Sequence, residues 1–264
     1  MMTIVGYAAM ALVGVSLGVI GAGGSILTVP ILVYLFGLQS SAATGFSLGI
    51  VGATSLVALN NYARKGLVAW PTTMRFVPGS IVGVLIARKI LIPALPEVVF
   101  DAGTFQVTRD LLIMLVFAVV MIKAAISMIK PPTLSQKAAR GPVFEVGAAL
   151  LIGMVTGFVG AGGGFLIIPA LVNILGLPMA SAVGTSLFII AINSLSGFIA
   201  VVVGASDVPW PMLVTLSAIG CVTAAWSSRL AHKIDQGKLK KFFGWFVICM
   251  GCYILGEQIL AALK

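Results

Sequence analysis

Two runs of small residues carry the clearest chemistry in this sequence. Gly21-Ala22-Gly23-Gly24 precedes a short apolar run containing Pro30, and Gly160-Ala161-Gly162-Gly163-Gly164 precedes one containing Pro169. Glycine admits backbone angles closed to other residues and lets a ligand approach the chain. A helix starting at such a turn offers unpaired N–H groups and the positive end of its dipole. Together these make an anion site that needs no cation. Gly21, Gly23, Gly24, Gly160, Gly162, Gly163 and Gly164 are therefore candidate binding residues, with Pro30 and Pro169 as helix breaks. The competing reading is close helix packing, the common use of small residues in membranes. Occurrence twice, each time before a proline and a short segment, favours binding.

Polar residues follow both runs. Ser25 and Thr28 are extra donors on one side only, because they align with Gly164 and Ile167. Ser47 aligns with Ser186, Thr54 with Asn193 and Ser55 with Ser194. Their spacing of seven and eight keeps them on one helix face. With Thr185 they either line a pathway or bond between helices, at about 0.6 kcal/mol per contact. No carboxylate pair, metal-ligand cluster or Gly-x-Ser-x-Gly is present, so neither an enzyme nor a metal or cofactor site is expected. His232 is the only histidine and sits in a Lys-rich loop. Cys249-Met250-Gly251-Cys252 has redox spacing without the βαβ context that would make it a redox site. Arg75 and Lys123 fall inside apolar runs and are read as reaching to the interface. Glu145 and Glu257 lie near span ends, facing headgroups.

The elements that must position these groups come in two copies. Residues 21–48 align with 160–187 at an offset of 139 without a gap, and 14 of the 28 positions are identical. Both copies keep the proline nine residues after the first glycine and a further glycine seven after that. Trp70-Pro71 matches Trp210-Pro211 one residue out of register. The chain therefore divides into a first membrane repeat, 1–130, a polar proline-flanked linker, 131–142, and a second repeat, 143–264. Residues 3–20 have the apolarity of a signal-peptide core, but the repeat marks them as retained structure.

Composition sets the environment. Of 264 residues 60% are hydrophobic and 9% charged, with a mean hydropathy of +1.16. Soluble domains carry about 25% charged residues, so a soluble enzyme, a disulfide scaffold and a disordered chain are excluded. Each half holds five apolar segments. Eight of the ten suit a core of about 30 Å; the second of each half, some 13 residues, reaches only about 20 Å. The fold expected is an all-α integral membrane protein with eight long spans and two short broken helices. If every segment changes side, Arg64, Lys65, Lys130, Lys137, Arg140, Arg229, Lys233, Lys238, Lys240 and Lys241 share one face. Arg88, Lys89, Arg109 and Lys264 fall on the other. The positive-inside rule puts the larger set in the cytoplasm and the N-terminus outside. Five segments per half then make an inverted-topology repeat. The net charge of +9 reads as orientation in a lipid bilayer, and no nucleic-acid partner is expected.

The doubled order of Gly-Ala-Gly-Gly, short helix with Pro30 or Pro169, Gly-Leu, then Ala-x-Gly-x-Ser-Leu resembles the TauE/SafE sulfite-exporter family of membrane permeases. The resemblance covers essentially the whole chain. It implies a multi-pass protein of the bacterial inner membrane that moves small sulfur-containing anions such as sulfite, sulfonates, sulfoacetate or thiosulfate. It leaves a homo-oligomer open. The expectation is a secondary transporter that holds one anion between the two glycine turns while the halves rock. The alternative is a non-transporting membrane scaffold or subunit whose glycines serve packing alone.

Overall fold

The computed structural model describes residues 2–21, 24–101, 106–129, 142–160, 162–173, 175–203, 208–230 and 236–262. The first half contributes α1 (Met2–Ile20), α2 (Ser25–Pro30, continued by a π turn at Ile31–Leu35), α3 (Ser40–Arg64) and α4 (Trp70–Ile86). A π turn at Ala87–Leu91 and a last turn at Ile92–Ala94 extend α4. A two-stranded antiparallel hairpin, β1 (Val98–Asp101) and β2 (Gln106–Thr108), leads into α5 (Arg109–Ile129). The second half contributes α6 (Pro142–Val159), α7 (Gly164–Asn173), α8 (Met179–Val202), α9 (Trp210–Leu230) and α10 (Gln236–Ala262). The linker expected at 131–142 lies outside the described residues but for Pro142, which opens α6.

The repeat reaches individual backbone bonds. The short helices end at Gly37 and Gly176, with φ of +70° and +67°. Leu38 N donates to Leu32 O at 3.1 Å and Leu177 N to Leu171 O at 3.0 Å. Each bond spans one residue more than the six-to-one bond of a Schellman cap, and each closes its helix on a left-handed glycine. Proline in the second position of Trp-Pro opens α4 and α9, where its missing N–H costs nothing. Four helices among the described residues are long and apolar enough to cross a membrane: Ser40–Arg64, Trp70–Ala94, Met179–Val202 and Trp210–Leu230. Ile4–Ile20, Ser25–Leu35, Phe144–Val159 and Val247–Glu257 are shorter apolar helices. Four of the eight expected long spans thus meet that measure, and the hairpin is an element that the sequence reading lacks.

Packing is exchanged between the halves. Helix α1 lies parallel to α9, Gly14 meeting Gly220 and Thr223, and Gly18 meeting Ala224 and Ser227. Helix α4 lies parallel to α6, with Gly83 against Leu150 and Met154, and Ser80 against Gly153. Small residues four apart let these backbones touch. In turn α9 packs on α3 and α4 on α8. Two triplets result, α1-α9-α3 and α6-α4-α8, each drawing on both halves. They meet where α3 and α8 cross antiparallel, Gly45 facing Val201, Gly49 facing Phe198 and Gly52 facing Leu195. Helices α5 and α10 pair beside them.

Candidate functional site

Both glycine turns adopt the left-handed backbone that glycine allows. Gly21 has φ +78°, and Gly160, Gly162 and Gly163 have +75°, +65° and +72°. Gly23 lies outside the described residues. Each turn packs on the long helix of the other half. A Cβ on Gly21 would stand 2.5 Å from Val183 Cγ1 of α8, and one on Gly160 would strike Thr44 of α3. Val183 and Thr44 are themselves equivalent in the repeat.

These contacts revise the expected site. Thr44 is near the start of α3 and Val183 near the start of α8. Because the two helices are antiparallel, Gly21 and Gly160 occupy opposite ends of the bundle, about 30 Å apart at 1.5 Å per residue. A single small anion does not touch both. The turns run inward from there: Gly24 abuts Val13 and Leu17 of α1, and Gly162 faces Val51, Ile190 and Ser194 near the middle of α3 and α8.

The middle of the bundle holds buried polar groups without partners. Asn193 is fully buried; its Oδ1 accepts from Ser80 Oγ at 2.9 Å, and its Nδ2 has no acceptor. Ser194 Oγ, 3.0 Å from where a Cβ on Gly162 would stand, is likewise unsatisfied. Ser55 Oγ and Thr28 Oγ1 are buried and unsatisfied too. Such groups in an apolar interior each cost about 1–3 kcal/mol, which favours a polar occupant beside them.

The remaining predicted residues are bonded locally or across the halves. Ser47 Oγ donates to Thr44 O and, between halves, to Gly160 O. Thr54 Oγ1 donates to Ile50 O at 2.7 Å and Ser186 Oγ to Val183 O at 2.8 Å, both back-bonds within their own helix. Thr185 Oγ1 accepts from Ala69 N at 2.9 Å, so this residue fastens the α3–α4 loop. Ser25 and Gly164 are buried at the starts of α2 and α7. Lys123 is exposed on α5, and Arg75 is mostly exposed, 3.9 Å from Glu145. Cys249 and Cys252 are free and exposed.

Sequence reasoning missed Ser80 and Arg88. Arg88 was counted only among the charges of the outer face, yet it lies in the π turn of α4 and is only 7% exposed. The signal was the apolar continuation Ile90-Leu91-Ile92, which extends the helix past the charge. One end of the bundle collects Arg88, the start of α3 and Asp110, whose Oδ1 accepts from Ser41 N at 3.0 Å. The other end collects the ends of α1 and α3 through Tyr62 Oη, which donates to Gly18 O at 3.0 Å. Asn61 Nδ2 ties the end of α9 to it by donating to Ser228 Oγ at 2.6 Å.

Comparison with known proteins extends over this whole arrangement. The family model described as sulfite exporter TauE/SafE matches residues 7–254. A probable membrane transporter protein of Xylella fastidiosa is 28% identical over 259 residues, covering 92% of this chain and 91% of its own. One of Bacillus subtilis is 25% identical, covering 92% and 93%. A probable membrane transporter protein of Methanocaldococcus jannaschii is 35% identical over 115 residues, covering 40% of this chain and 43% of its own. No solved structure matches the chain.

Proposed function

The chain belongs to the TauE/SafE sulfite exporter family of membrane transporters, and from that premise we propose that it is a secondary permease for small sulfur-containing anions. Sulfite, sulfonates, sulfoacetate and thiosulfate are the substrates to test. The observation that carries this reading is the pair of unsatisfied buried donors on consecutive residues of α8, Asn193 Nδ2 and Ser194 Oγ, the second of them facing the left-handed Gly162. Neutral donors at a helix N-terminus bind an anion without placing a cation at mid-membrane. The substrate on this reading is held by the inner reach of the turns, Gly24 and Gly162–Gly164, with Thr28, Ser55, Asn193 and Ser194 as side-chain partners. Gly21 and Gly160 act as the hinges that bring each short helix inward.

The moving parts on this reading are the two mixed triplets rather than the sequence halves. The seam between α3 and α8, where glycines meet Val201, Phe198 and Leu195, is the surface along which they shift. Arg64, Lys65, Arg75 and Arg229 belong to one end of the bundle, which supports a cytoplasmic placement of that end and an inverted repeat. A bacterial inner-membrane location follows the bacterial relatives.

The test is flux. Purified protein in liposomes should exchange labelled sulfite or a sulfonate faster than empty liposomes. Absence of flux for every anion in the panel, with protein folded and inserted, would sink the transporter reading and leave the scaffold alternative.

A further inference from the structure

Arg88 is a buried cation with no described carboxylate within 4 Å; Asp110, at the same end of the bundle, is held by Ser41 N one turn from Thr44. Arg88 is 7% exposed, and the one described ion pair in the chain joins Arg75 to Glu145 instead. Its Nη2 donates to Thr44 O at 2.7 Å and its Nη1 approaches Thr44 Oγ1 at 3.3 Å, while Nε has no partner. Thr44 is the residue against which the Gly160 turn packs, and Ser47 Oγ bonds Gly160 O one turn further on. A guanidinium with one unsatisfied N–H and a left-handed glycine turn thus meet at one end of the bundle. The repeat does not duplicate the charge. At the opposite end the equivalents of Arg88 and Thr44 are Ser228 and Val183.

A carbonyl and a hydroxyl are weak, neutral acceptors for a group that matches oxyanions with a two-pronged fork. The π turn widens the helix at this residue, a distortion that recurs at functional sites. We propose that Arg88 is an oxyanion-binding residue at the mouth of the pathway beside Gly160, its fork resting on Thr44 when no anion is bound. The inference rests on the anion-transport reading. It adds a charged, one-sided station where that reading had only neutral donors. The station selects for the sulfite or sulfonate head group, three oxygens on sulfur, over a halide of equal charge.

The test is binding of sodium sulfite and of methanesulfonate to detergent-purified protein by calorimetry, with chloride as the comparison anion. Arg88→Gln is expected to weaken sulfite and methanesulfonate binding by about tenfold to a hundredfold, the range for losing a charged hydrogen bond. Arg88→Lys, which keeps the charge and loses the fork, should fall between the two with an unchanged melting temperature. Wild-type affinity in Arg88→Gln overturns the inference and leaves the transporter reading standing. Equal losses in both variants together with a lowered melting temperature overturn it too, because they mark a purely structural tie to Thr44. Failure of the wild-type protein to bind any oxyanion overturns the anion reading itself, and this inference with it.

Discussion

Alanine substitution at three left-handed glycines separates backbone strain from close contact. Gly37, Gly21 and Gly160 share nearly the same φ, +70°, +78° and +75°. An alanine in that conformation costs about 1–2 kcal/mol at each. Their surroundings differ. Around Gly37 a Cβ would meet nothing within 4 Å; at Gly21 it meets the rotatable side chain of Val183; at Gly160 it meets the backbone of Thr44. Overpacking against a neighbour that cannot move adds about 1–3 kcal/mol. Gly37→Ala should therefore lose about 1–2 kcal/mol and Gly160→Ala about 2–5 kcal/mol, with Gly21→Ala between them. The assay is SDS-titrated unfolding in mixed micelles, followed by circular dichroism. Equal losses at Gly37 and Gly160 would refute the claim that the Gly160 turn is wedged against α3.

Five further outcomes are expected. Ser80→Ala strips Asn193 Oδ1 of its donor and should cost about 1–3 kcal/mol in the same unfolding assay. Asn193→Leu removes the unsatisfied amide, so it should leave stability near wild type or raise it while abolishing liposome flux; retained flux would move the pathway elsewhere. Gly153→Val drives a side chain into Ser80 of α4 and should reduce the yield of folded protein, whereas Arg75→Ala should change stability by less than about 1 kcal/mol because the guanidinium is mostly exposed and stands 3.9 Å from Glu145. Reporters fused after Lys65, Lys137 and Lys240 should report one side of the membrane and a reporter after Asp207 the other; Asp207 and Lys240 on the same side would defeat the inverted repeat.

Much of the architecture was legible because it is written as spacing. The offset of 139 predicts the paired caps at Gly37 and Gly176 and the paired left-handed turns at Gly21 and Gly160. Trp-Pro marks the starts of α4 and α9. The partners of each helix were not legible. Gly79-x3-Gly83 and Gly153-x3-Gly157 announce that two surfaces touch something closely, yet an apolar helix face carries no address. Only packing reveals that the partner comes from the other half. The candidate site was legible as residues and not as a place, since alignment of two turns says nothing of the distance between them. The antiparallel crossing of α3 and α8 sets that distance. Arg88 was hidden for a related reason: in a membrane helix a long cation reads as a boundary, and here it marks the interior.

The exchange of helices between halves also orders the protein's birth. Gly14 waits for Gly220, 206 residues later in synthesis, and Gly83 waits for Leu150 and its neighbours, 67 residues later. Domains that fold as the chain emerges normally finish their own contacts first. This first half has its closest contacts reserved for helices not yet made. Its glycine seams stand open to lipid until α6 and α9 enter the bilayer, so translation must run nearly to the end before α1 gains its neighbour. A ribosome stalled after α5 should leave a membrane-inserted chain that proteases and quality-control factors recognise as unfinished, although every one of its spans is already in place.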